Sequence, residues 1–151
     1  MIRKLLRFTK KIVIYFFLLS ILSVIVLRYV PVFFTPLMGI RIVEQIRNKK
    51  KPKLLHTWVG YDNISDNIKR AVIASEDQLF FQHNGFDKKQ IKKAIEENKK
   101  RKRARGASTI SQQTAKNVFL WPKSSWFRKG LESYFTVLIE LFWSKERILH
   151  V

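Results

Sequence analysis

The chain has 151 residues, enough for one domain with an appendage, and it contains no cysteine. A disulfide framework and a thiolate metal site are thereby excluded. The net charge of +19 points to anionic partners, whether phosphates, acidic lipid headgroups or nucleic acid.

The first 38 positions hold six basic and no acidic residues. Arg3, Lys4, Arg7, Lys10 and Lys11 form a basic flank, and Ile12 to Leu27 is apolar apart from Ser20 and Ser23. Ile12 to about Val32 supplies the roughly 20 residues that a membrane-spanning helix needs. Arg28 and Tyr29 fall where they can snorkel to the far interface, and Pro31 and Pro36 break the helix. The flank puts the N-terminus in the cytoplasm. The bulky sequence RYVPVFF offers no small-residue cleavage site, so residues 1–38 read as an uncleaved single-pass anchor with the rest of the chain outside.

Residues 39–57 read as a connecting segment around the run NKKKPK. Lys49 to Lys53 either touch anionic headgroups, at about 1 kcal/mol per residue, or form a solvated linker. A folded unit begins near Trp58. Ser65 or Asp66 caps a helix in which Ile64, Ile68, Ala71, Val72 and Ser75 follow helical spacing. Glu76 and Asp77 stand at its end, where the helix dipole disfavours negative charge. The stretch they open, EDQLFFQHNG, reads by itself as a helix end and a turn, with Phe80 and Phe81 in the core.

Asp87 and Gln90 make a capping-box-like start to a helix with Ile91, Ala94 and Ile95 on one face. Lys88, Lys89, Lys92 and Lys93 occupy its other face. The run NKKRKRARG lacks the interleaved aromatics that stack on bases, so it reads as a loop near anionic lipid or as a solvated one. Thr109-x-x-Gln112 is a second capping box, and Thr109, Gln112, Gln113 and Lys116 then share one helix face. That face suits phosphate oxygens, and it equally suits water. Ser125 caps a long helix with Phe127, Leu131, Phe135, Leu138 and Phe142 along one side. Arg128, Lys129 and Glu132 lie within a turn of one another, which on a helix surface stabilises by only a few tenths of a kcal/mol. Ser144 caps a last helix, KERILHV.

Together these segments resemble the glycosyltransferase family 51 domain of peptidoglycan glycosyltransferases, from about Trp58 to Val151. Glu76-Asp77-x-x-Phe80-x-x-His83-x-Gly85 resembles its first motif, and Gly106-x-Ser108-Thr109-Ile110-Ser111-Gln112-Gln113 with Lys116-Asn117 its second. Arg128-Lys129-x-x-Glu132 resembles the third, and SKERIL the start of a fourth that usually continues to Y-L-N. The short anchor and the lack of room for a transpeptidase make the resemblance one to the monofunctional biosynthetic members.

The resemblance implies a mostly helical fold. A single N-terminal transmembrane helix is joined to the N-terminal, incomplete part (58–151) of a lysozyme-like domain with a large lobe and a smaller, membrane-dipping one. It implies polymerisation of lipid II with inversion and release of undecaprenyl pyrophosphate. Glu76 would be the base. Lys116, Arg128 and Lys129 would stabilise pyrophosphates. Glu132 would be the second carboxylate, orienting these cations or assisting the leaving group, optionally through a divalent cation (Mg or Mn). Ser108, Thr109, Gln112, Gln113 and Asn117 would belong to the substrate-binding set, while Asp77, Phe80, His83, Gly85 and Gly106 would shape the motifs. For His83 this means a structural hydrogen bond and not a proton shuttle. Implied partners are lipid II, the growing glycan strand, the membrane and other cell-wall synthesis proteins, but not nucleic acid. The implied location is the bacterial inner membrane, with the catalytic domain on the periplasmic, extracytoplasmic side.

The sequence departs from the family pattern twice. Ser124 stands where many relatives carry an arginine, with Lys123 beside it, and the chain stops inside the fourth motif. A fragment or an interrupted reading frame is the expectation, and with it a second function: an inactive, membrane-anchored module that binds lipid II or anionic lipid. Apolar helix faces left uncovered should then give weak stability or aggregation. Cooperative chemical unfolding with a normal midpoint would contradict that expectation.

Overall fold

The computed structural model describes residues 2–101 and 105–151, and all regular structure among them is helical. Part of the basic run, residues 102–104, lies outside the described residues. The chain divides into two compact units, the first ending at Pro31 and the second running from Val32 to Val151. The first unit is α1 (Ile2–Tyr29), long and apolar enough to cross a membrane. It extends back through the basic flank and stops two residues before Pro31, as a missing backbone donor requires.

The second unit opens with α2 (Pro36–Arg47), inside the segment expected to be the end of the anchor and a linker. Thr35 caps it by accepting from the Met38 N–H, and Pro36 occupies the first turn, where its missing donor costs nothing. The following residues fold back on α2. The Gln45 amide donates to the Lys53 carbonyl at 3.3 Å and accepts from the Lys53 N–H at 2.7 Å. Because α2 also packs on α5, residues 39–57 are part of the folded unit and not a free linker.

Five further helices follow: α3 (Asp66–Glu76), α4 (Lys88–Asn98), α5 (Ile110–Phe119), α6 (Trp126–Phe142) and α7 (Lys145–His150). Each has the expected polar cap, namely Ser65, Asp87, Thr109, Ser125 and Ser144, whose side chain accepts from a backbone N–H of the first turn. At α5 the box closes both ways, with the Gln112 side chain accepting from the Thr109 N–H at 3.1 Å. At α4 it does not, since the Gln90 side chain instead accepts from Arg105.

The core lies where α5 meets α6 and α7. Ile110, Ala115 and Val118 pack with Phe135, Leu138, Ile139, Trp143 and Ile148, and Phe119 stacks on Phe135 with ring centroids 4.5 Å apart. Phe80, fully buried, brings the first motif into this core, a burial worth about 1.5–3 kcal/mol. Its neighbour Phe81 is exposed, unlike the expectation from sequence. Two other expected faces are only partly covered. Phe127, in the first turn of α6, projects into solvent, and no residue of α3 is buried, leaving Ile68 and Val72 exposed. Helix α3 is held at its ends, by Ser65 and by the backbone cap at Asp77, and not by its apolar stripe.

Gly85 is the most tightly enclosed of the glycines. Its φ is +83°, and an added Cβ would lie 2.7 Å from Thr136 Cγ2 and 3.0 Å from Glu140 Cγ. Gly85→Ala should therefore cost roughly 2–4 kcal/mol, combining left-handed strain with overpacking against α6. A lowered urea midpoint with unchanged slope is the expected reading.

Candidate active site

The last residue of α3 is Glu76 and the next is its C-cap, Asp77, and the two have opposite environments. Asp77 is buried, while Glu76 is exposed at the edge of a cleft of about 310 Å³. The cleft runs between the end of α3, the start of α4 and the loop 105–109. The Gln113 amide on α5 donates to Glu76 Oε2 at 2.7 Å and so fixes the carboxylate's orientation.

The Asp77 carboxylate accepts from His83 Nε2 at 2.9 and 3.1 Å, and Oδ2 also accepts from the Ile110 N–H at 3.1 Å. One anion thus sits at the N-terminus of α5, satisfying a free backbone donor where the helix dipole favours negative charge. The Thr109 hydroxyl donates to the Gly85 carbonyl at 2.7 Å, a second tie between the first and second motifs. His83 is largely buried, with its Nδ1 lacking a partner among the described residues. Its contact is the structural bond to Asp77.

Glu132 is 2 % exposed. Its Oε2 accepts from Arg128 Nη1 at 2.6 Å, and its Oε1 accepts from Lys129 Nζ. This is no surface ion pair, because Arg128 is buried as well. Lys129 remains partly open and also donates to Ser108 Oγ at 3.5 Å. Ser108 lines the Glu76 cleft, so Lys129 is connected to that cleft through Ser108 without lining it. Both carboxylate oxygens of Glu132 are engaged by cations, and the described residues contain no cluster of three or more His, Asp or Glu side chains able to hold a metal. That donor set does not fit a divalent cation bound directly to Glu132.

The remaining sequence-predicted residues divide. Thr109 and Gln112 are buried and spent on capping α5. Lys116 does not line the Glu76 cleft; it lines a separate one with Leu37 and Arg41 of α2. Asn117 borders that cleft and also a groove shared with Glu76 and Gln113. Lys123 and Ser124 are exposed in the turn before α6. Gly106 is exposed, and an added Cβ there would meet nothing within 4 Å, so packing does not require a glycine.

Sequence reasoning missed a supporting network. Lys145 Nζ donates to the His83 carbonyl at 2.6 Å and to Glu140 Oε1 at 2.8 Å, and it lies 4.6 Å from the centre of the Phe80 ring. Glu140 also accepts from Ser111. Lys145 belongs to the SKERIL segment, which was the available signal.

The family model described as Transglycosylase matches residues 42–151. The chain is 63% identical to a biosynthetic peptidoglycan transglycosylase of Bacteroides thetaiotaomicron over 150 residues, covering 99% of this chain and 60% of that protein. It is 51% identical to one of Bdellovibrio bacteriovorus over 141 residues, covering 93% of this chain and 56% of the relative. Against one of Pseudomonas putida it is 50% identical over 151 residues, covering 100% and 64%. The chain therefore spans under two thirds of the length of these curated relatives.

Removing Glu132 would leave a buried guanidinium without its counter-charge. Glu132→Ala should destabilise the second unit by roughly 3–5 kcal/mol, measured as a fall in thermal or denaturant midpoint.

Proposed function

The chain belongs to the transglycosylase family, and we propose that it is a peptidoglycan glycosyltransferase that polymerises lipid II. The observation carrying this reading is the position of Ser108. It lines the cleft that Glu76 opens onto, and its hydroxyl accepts from Lys129, so a carboxylate and a hydroxyl in contact with a lysine share one cleft.

Glycosyl transfer between two lipid-linked sugars needs a base and a cation. The 4-hydroxyl of one disaccharide attacks the anomeric carbon of the growing strand. A new C–O bond forms on the face opposite the departing group, the bond to the diphosphate breaks, and the electron pair leaves with undecaprenyl pyrophosphate. Glu76 takes the hydroxyl proton, and the Gln113 amide engages only Oε2. Lys129 meets the charge that grows on the leaving diphosphate. Glu132 acts as a positioning residue, holding Arg128 and Lys129 in one place against their mutual repulsion.

Membrane attachment follows from the same reading. Helix α1 would cross the bacterial inner membrane with its basic flank in the cytoplasm, placing the second unit on the extracytoplasmic side, where lipid II and the growing strand are its substrates.

Glu76→Gln keeps the Gln113 contact in size and shape but cannot take the proton. Polymerisation of labelled lipid II should fall by roughly 10²–10⁴-fold with helix content unchanged. Binding of lipid II without polymerisation by the unsubstituted chain would instead favour a membrane-anchored binding module.

A further inference from the structure

A second cavity, of about 490 Å³, shares only Leu79 and Asp87 with the Glu76 cleft. Its volume falls in the range of small-molecule sites, roughly 300–1,000 Å³. Leu79 and Phe86, both half-buried, give it apolar wall, and Lys88 and Lys89, the first two residues of α4, give it charge. Both lysines are exposed, and neither has a carboxylate partner among the described residues. Their backbone N–H groups are unpaired as well, because the Asp87 side chain takes the N–H of Gln90 and its carbonyl takes that of Ile91. His83 also lines the cavity, and its side chain is only 10 % exposed. Its Nε2 donates to the Asp77 carboxylate, which leaves a lone pair on Nδ1, and Nδ1 has no partner among the described residues. A buried ring nitrogen without a donor is unfavourable and needs a reason. The glycosyl transfer proposed above uses none of Lys88, Lys89 or Phe86.

We infer that this cavity is a separate ligand site, for a small monocarboxylate that carries an N–H donor beside an apolar body, as an N-acylated hydrophobic amino acid does. The carboxylate meets the two lysines and the free N–H groups at the start of α4, where the helix dipole favours negative charge. The ligand N–H donates to His83 Nδ1, and the apolar body covers Leu79 and Phe86. Asp87 is the one acidic group in the wall. Against two lysines it leaves a single positive charge to balance, which suits one carboxylate better than a doubly charged phosphate. The occupant touches the histidine that holds Asp77, and Asp77 is the neighbour of Glu76, so the site is one residue removed from the candidate base. The inference stands apart from the glycosyltransferase reading and does not depend on it.

The experiment follows the ring-nitrogen resonances of isotope-labelled histidines by NMR, in the full chain held in a neutral detergent. His56→Gln and His150→Gln variants distinguish His83 from the other two histidines. N-acetylphenylalanine is the probe, and it should move the His83 resonance saturably in the millimolar range or below. Its amide lacks the charge and phenylpropanoate lacks the N–H donor, and each should bind roughly tenfold more weakly. A double Lys88→Ala, Lys89→Ala variant should weaken binding of the probe by roughly tenfold or more, and the double arginine variant should recover it. Both lysines are exposed, so helix content should be unchanged in either variant. A loss with the amide alone supports the site and widens the ligand class to plain carboxylates. No saturable movement of the His83 resonance at millimolar probe overturns the inference. Equal affinity for all three compounds, or unchanged affinity in the double alanine variant, overturns it too. Binding is read without turnover, so the result holds whether or not the chain polymerises lipid II.

Discussion

Asp77 accepts hydrogen bonds from a histidine ring six residues ahead and from the first backbone N–H of a helix thirty-three residues ahead. Its own backbone closes α3, so one residue joins the C-terminus of one helix to the N-terminus of another. Glu76 precedes it by one position, and Gln113 lies one turn into the helix it caps. The Glu76–Gln113 contact therefore inherits its register from Asp77. The tie is local and polar, and α3 has little else to hold it, since none of its side chains is buried. Gly85 and Thr109 reinforce the same joint from the loop side, and Lys145 clamps that loop from α7.

The second constraint is the charge balance around Glu132. Desolvating a carboxylate is costly, and only close counter-charges make it tolerable. Two cations on the same helix, one turn or less away, provide them. The arrangement has a directional result. Arg128 is buried and donates to Glu132, whereas Lys129 keeps part of its surface open and reaches Ser108. A single buried carboxylate thus sorts two adjacent basic residues into different tasks.

Much of this was legible in the sequence because it is local. The serine, threonine and aspartate caps, the reciprocal Thr109–Gln112 box and the end of α3 at Glu76 all depend on residues within one turn, and each appears where expected. The motif spacing placed Glu76 and Ser108 in one site, although only the fold shows that Asp77 joins them. Helix α2 was overlooked because the lysine run after it dominated the composition, even though Thr35-Pro36 is a sound helix-start signal. Lys116 shares a helix face with Gln113 in projection, yet it sits a turn further along and meets α2, which no periodicity argument could anticipate. The outward turn of Phe127 and Phe81 is likewise a tertiary outcome. Helical spacing says which side chains share a face and leaves open what lies against it.

The solvent exposure of Glu76 has a kinetic consequence. A base enclosed by protein must pass each captured proton through a relay of side chains or trapped water before it can act again. Glu76 is exposed to solvent at the edge of the cleft, with one oxygen held by Gln113. On the proposed reading the proton gained at each sugar addition escapes straight to bulk solvent, and the carboxylate is reset as soon as the new linkage clears it. Successive additions would then be paced by movement of the strand and its lipid, with proton release adding no separate step.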